Sequence, residues 1–166
     1  MEKYVPSSGV LPANHDIEEL AKLDLRRSSF HEAGHLVVAE HYGLKGEASV
    51  FRTYAGDLLN NHWVGRFTPL KGPQPSECKW AVIGWAGAVA EGLSDIGLST
   101  WRAEVEEVWC DYELGDQLSE SDQTLIEKWP NRCLTFYRAV SIIERNYVRL
   151  RDAAEKLILS KYVCNL

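Results

Sequence analysis

The chain has 166 residues, enough for one domain with a sizeable core, and its 45% hydrophobic and 25% charged content is ordinary for a globular protein. No apolar run approaches the roughly 20 residues of a membrane helix, and Met1-Glu2-Lys3-Tyr4-Val5-Pro6 lacks a basic, apolar leader, so a cytoplasmic protein without a membrane partner is expected. The net charge of -6 is uneven: Glu91 to Glu127 holds eleven acidic residues against the single Arg102, which argues against nucleic acid as a partner and reads as a solvated acidic surface.

Residues 1–15, with Pro6, Ser7, Ser8, Gly9 and Pro12, show no period and read as a flexible arm. Residues 16–166 read as a single domain. Asp16 is a candidate N-cap, with Glu18 and Glu19 in the first turn. Ile17, Leu20 and Leu23 form a short apolar stripe. The chain then continues, with room for a break near Arg26 to Ser29, into a helix ending at Tyr42 with Gly43 as its stop signal. Ala48–Tyr54 and His62–Thr68 are rich in β-branched and aromatic residues and predict a β-hairpin around the turn residues 55–61. Ser76 is placed to cap a helix through Trp80, Ile83, Trp85, Val89 and Glu91. This helix is apolar nearly all round and should be buried. Its small residues Gly84, Ala86, Gly87, Ala88 and Ala90 allow close approach of Ala33-Gly34.

Ser99 is placed to cap an acidic helix over 100–113, broken by Gly115. A short helix opens at Ser119-Glu120-Ser121-Asp122. After Pro130 a long amphipathic segment runs over 131–161, as one helix or as two with a break at 145–146. Cys78, Cys110, Cys133 and Cys164 have wide, irregular spacing without C-x-x-C, so reduced and mostly buried thiols are expected.

The chemistry is concentrated in His31-Glu32-Ala33-Gly34-His35. Four residues advance a helix by about 400°, so two imidazoles at that spacing lie about 40° apart, one turn above the other. They can offer two nitrogens to one metal ion, with Glu32 beside them to take a proton from metal-bound water. A catalytic zinc usually takes a third protein ligand. His41 sits where an H-E-x-x-H-x-x-G-x-x-H site has its last histidine, but Val38 stands where that site needs glycine, and a continuing helix turns His41 away. Glu91 is a carboxylate on an apolar helix, Asp95 follows on a loop, and Asp122 opens a short helix where Ser119 and Asp122 also match a capping box. Spacing alone does not choose between Glu91 and Asp122.

The run Phe30 to Ala39 resembles the zinc helix of the peptidase domain of FtsH-type AAA+ metalloproteases, which reads H-E-A-G-H followed by small and apolar residues. Ala86-Gly87-Ala88-Val89-Ala90-Glu91-Gly92 is similar to that family's G-G-x-x-A-E-E helix. Ser119-Glu120-Ser121-Asp122 is similar in position to the stretch that donates its third ligand, and residues 142–159 resemble its closing helices. The resemblance implies a mainly α (α+β) zincin-like domain with a small β-hairpin or sheet beside the H-E-x-x-H helix. It implies Zn2+ held by His31, His35 and Asp122, with Glu32 as general base in peptide-bond hydrolysis. A polypeptide substrate is the implied partner, and a homo-oligomer or a separate unfolding partner is left open. Departures are Gly92 in place of a second acid, and no ATPase module within these residues, so ATP-independent action is expected. The alternative is a catalytically silent zinc-containing binding module derived from such a peptidase. A second alternative is a hydrolase of non-peptide amides, whose mark would be a deep closed pocket instead of a strand-edged groove.

Overall fold

The computed structural model describes residues 17–53, 63–70, 72–96, 101–114 and 118–165. The expectations for the arm at 1–15, the Asp16 cap, the turn at 55–61, the Ser99 cap and the Gly115 break lie outside these residues. The fold is mainly helical with a small antiparallel sheet, as expected. In chain order it runs α1 (Ile17–His41), β1 (Gly46–Arg52), β2 (Trp63–Pro69), α2 (Glu77–Glu91), α3 (Leu93–Ile96), α4 (Trp101–Leu114), α5 (Glu120–Ile126), α6 (Arg132–Arg145), α7 (Tyr147–Ser160) and β3 (Tyr162–Cys164). Among the described residues no helix is long and apolar enough to cross a membrane.

The N-terminal stripe and the motif segment form one helix of 25 residues, without a break at 26–29. No Gly or Pro interrupts it before Gly34, and the stretch in question is held from outside. Arg26 donates to the Ser94 carbonyl and lies over the Phe30 ring, while Asp24 and Ser28 bond to the backbone of Trp63. The helix stops at Gly43, whose φ of 73° is left-handed. The Gly43 and Leu44 N–H groups return to the Glu40 and Ala39 carbonyls at 2.8 and 3.0 Å, a closure that satisfies two end carbonyls.

α2 is the buried centre, with Ala81 to Gly87, Val89 and Ala90 all inaccessible. Ser76 stands at its N-cap position but makes no side-chain cap bond, contrary to expectation. α1 crosses α2 at Gly34. A β-carbon there would overlap the Ala86 carbonyl and come within 2.7 Å of the Ala90 β-carbon, so the two backbones meet where no side chain separates them. Trp85 on α2 is packed edge-on against Tyr112 of α4 (ring centroids 4.7 Å apart) and Phe136 of α6 (5.1 Å). The amphipathic segment divides at Asn146, whose Nδ2 donates to the Ile142 carbonyl at 2.8 Å. α7 then lies along α1, tied by the Arg149–Glu40 pair at 2.9 and 2.5 Å.

The strands begin at Gly46 and Trp63, close to expectation, and pair antiparallel with Gly65 opposite Val50. A third strand was not expected. Tyr162–Cys164 pairs with Glu47–Ser49, giving the order β2-β1-β3. Three residues are too few to show alternation, and this strand is set by tertiary bonds between Asn165 and Gly46. The cysteines also depart from expectation: all four are free, but Cys110 and Cys133 are exposed and Cys78 and Cys164 half-buried.

Gly34→Ala is expected to lower stability by about 1–3 kcal/mol, because a methyl between two backbones has no room to relax. Gly72→Ala, where a β-carbon would meet nothing nearer than 4.0 Å, should change it by no more than about 0.5 kcal/mol. Chemical denaturation of both variants checks the pair.

Candidate metal centre

The first two side chains follow from helix geometry. His31 and His35 stand one turn apart on α1, with ring centroids 4.9 Å apart. Their remaining walls come from α2. A β-carbon at Gly87 would overlap the Nε2 atoms of both imidazoles, so this position is open only because it carries no side chain.

Asp122, in the first turn of α5, completes the group. Its Oδ2 lies 3.0 Å from His31 Nε2 and its Oδ1 3.2 Å from His35 Nε2. One ligand atom from each of His31, His35 and Asp122 falls within 4.8 Å of the others. Glu91, the other candidate, sits behind His31, its Oε2 3.3 Å from Nδ1. His35 Nδ1 donates to the Ile83 carbonyl at 2.7 Å. Each imidazole is therefore held through Nδ1 and presents Nε2 to the shared space. This is the arrangement by which second partners fix the tautomer of a metal-binding histidine. His41 lies elsewhere, exposed at the end of α1 against the Tyr42 ring. The Asp95 side chain falls outside the described set.

The charges are strongly coupled. Burial works against a cationic His31, but hydrogen bonds to Asp122 and Glu91 outweigh it, and its pKa is pushed up to about 10. His35 moves the same way: burial opposes its charge and the Asp122 carboxylate more than compensates. Burial alone would raise Asp122, yet the two imidazoliums hold its carboxyl far below the usual carboxylate range. Glu32 is 6% exposed. Burial raises its pKa, only partly offset by His35 and His31. Its carboxylate lies against Gly65 of β2, where a β-carbon would overlap it. Glu32 Oε2 is buried and has no hydrogen-bond partner among the described residues.

A cavity of about 660 Å³ opens over this group, bounded by α1, the β2 segment Trp63 to Phe67, Glu91 and the start of α5. Two imidazole nitrogens and a carboxylate oxygen, buried and converging, suit zinc by ligand type. The Glu32 Oε2 beside them, without a partner among the described residues, is what a bound water would satisfy.

Some site residues were not anticipated. Ser119 acts as the expected cap, its Oγ accepting from the Asp122 N–H at 3.2 Å, but it also donates to Asp122 Oδ2 at 2.7 Å, fixing the carboxylate. The Ser-x-x-Asp spacing carried that signal. Gly65 carried none, and Gly87 stood out only as one of the small residues of α2, because what they clear is set by other elements. No family model matches the chain, and no curated protein matches it.

In metal-free protein, charged His31 contributes stability fully below its ordinary value of 6.5, lost as pH rises through about 10. Asp122 contributes above its ordinary 3.8, and that contribution is lost as pH falls below it. Chelated protein should therefore be stabilised by the cluster most between pH 3.8 and 6.5 and lose stability steadily toward pH 9. Denaturation at a series of pH values tests this, with Asp122→Asn expected to flatten the alkaline decline.

Ser119→Gly keeps most of the cap but deletes the hydroxyl. It should weaken zinc binding about tenfold, with Ser119→Thr close to wild type. Competition with a chromogenic chelator measures both.

Proposed function

We propose that the chain is a zinc-dependent metallopeptidase of the kind its sequence resembles, the FtsH-type peptidase domain. The observation that carries this reading is the convergence of His31, His35 and Asp122 on one cavity with Glu32 at its wall, whose Oε2 has no partner among the described residues. His31, His35 and Asp122 would hold the ion, and zinc so held supplies a Lewis acid that makes water acidic near pH 7 and polarises a carbonyl.

The chain's own groups do the rest. Glu91 and the Ile83 carbonyl hold the two Nδ1 atoms, so both Nε2 atoms stay turned to the cavity. Glu32, its pKa raised by burial, accepts a proton from the attacking water and returns it to the leaving amine. Gly65 lets that carboxylate lie flat against β2. The Phe67 ring stacks on His35 at 5.9 Å and closes the cavity on one side.

The cavity has a strand along one wall, which favours an extended peptide over a compact amide. Leu70 N–H donates to the Lys45 carbonyl and Trp63 N–H to Asp24. Because backbone direction alternates along a strand, Gly65 and Phe67 present N–H and C=O away from β1. An added peptide strand pairs with such groups. The presence of Glu32 favours an active enzyme over a silent binding module. Free cysteines fit a reducing compartment such as the cytoplasm.

Purified protein should carry about one zinc per chain, lost in Asp122→Ala and kept in Glu32→Gln. Glu32→Gln should reduce hydrolysis of an unfolded protein substrate at least about 100-fold. Elemental analysis with a protease assay, with and without chelator, decides. Zinc loss only in Glu91→Ala would overturn the ligand set, and unchanged activity in Glu32→Gln would overturn the mechanism.

A further inference from the structure

The edge of β2 is closed at one end. Trp63 has the same backbone orientation as Gly65 and Phe67, away from β1, but both its groups are taken. Its N–H donates to Asp24 Oδ2 at 2.6 Å and its carbonyl accepts from Ser28 Oγ at 3.2 Å. At the far end Pro69 faces the same way and has no N–H to give. Asp24, Ser28 and Glu32 follow one another at four-residue steps on a single face of α1. The first two seal the strand edge at Trp63. The third lies against Gly65, and all three line the cavity together with Trp63. The sealed end is anchored from outside as well, since the Lys161 ammonium sits 4.8 Å over the Trp63 ring.

We propose that Asp24 and Ser28 form a stop that ends strand pairing at Trp63, so that the site takes a short extended peptide segment of about three or four residues, paired to Gly65 and Phe67 alone. This rests on the peptide-hydrolase reading of the same site. Two outward-facing residues, 65 and 67, can exchange hydrogen bonds with two substrate residues, and one more lies between them. The cavity of about 660 Å³ is of a size for such a segment and within the range of small-ligand sites. A substrate chain that continues beyond it must leave the sheet direction at Trp63. The preferred substrates are therefore flexible segments and short peptides, not strands that run along the whole edge.

The test is a length series. Acetylated, amidated peptides of two to eight residues, built of alanine around one phenylalanine, are titrated calorimetrically into zinc-loaded Glu32→Gln protein, which binds without cutting. Affinity should rise about two- to tenfold for each added pairing residue and level off at three to four residues. In Asp24→Ala/Ser28→Ala on the same background, Trp63 N–H and C=O become available, and the plateau should move out by about two residues. Asp24→Asn keeps an acceptor for Trp63 N–H and should leave the plateau where it was. Affinity that keeps rising to eight residues in the parent, or a plateau unmoved in the double variant, overturns the stop while leaving the peptidase reading intact. Zinc-loaded protein that binds no peptide of any length overturns both.

Discussion

The constraint on which the site depends is the contact of two backbones. At Gly34 helix α1 lies directly on the Ala86 carbonyl of α2, and helices that approach this closely leave little freedom in their relative placement. The site inherits that rigidity. His31 and His35 flank the crossing on α1, and Gly87 follows Ala86 on α2. The absent side chain at Gly87, next to the contact that locks the helices, clears the space in front of both imidazoles. A side chain at Gly87 would trade that gap for a hydrocarbon-filled one.

Around this crossing the protein gathers charges that a core would ordinarily avoid. Asp122 is 3% exposed and His35 4%, and neither would stay ionised alone in such surroundings. They remain so because each oxygen of Asp122 faces an imidazole and because Ser119 holds the carboxylate from below. Removing one member would leave the others buried and uncompensated, which costs more than the pair contributes when intact. An arrangement so dependent on every partner reads more naturally as a site kept for chemistry than as a device for stability. Glu32 agrees with that reading, since its buried Oε2 finds no partner among the described residues.

Helix α1 carries most of the functional geometry on one side. Its successive turns present Asp24, Ser28, Glu32 and His35 to β2. The first two bond to the Trp63 backbone, the third rests on Gly65, and the fourth stacks on Phe67. The strand thus tracks the helix residue pair by residue pair, and the cavity is the wedge between them closed by α5. α7 supports α1 from the opposite side through Glu40 and Arg149. β3 then pairs with β1 and holds the small sheet in place.

Much of this was legible in the sequence, and for identifiable reasons. The His31–His35 spacing is a property of one helix, so periodicity alone set the two imidazoles side by side with Glu32 adjacent. The all-round apolar character of α2, the small residues at its crossing and the hairpin are likewise local patterns with a physical meaning. What local pattern could not decide was everything donated from a distance. Glu91 and Asp122 are both acids near helix ends, and only the packing of α5 against α2 puts Asp122 before the two Nε2 atoms and Glu91 behind His31. The unbroken α1 depends on Asp24, Ser28 and Arg26 finding partners on β2 and α3. The strand Tyr162–Cys164 exists because Asn165 reaches Gly46, and the stop at Trp63 because a helix face meets a strand edge. The sequence by itself determined which groups could do the chemistry; the tertiary structure decided which of them share a space, because burial and close approach are relations between elements and are written in none of them singly.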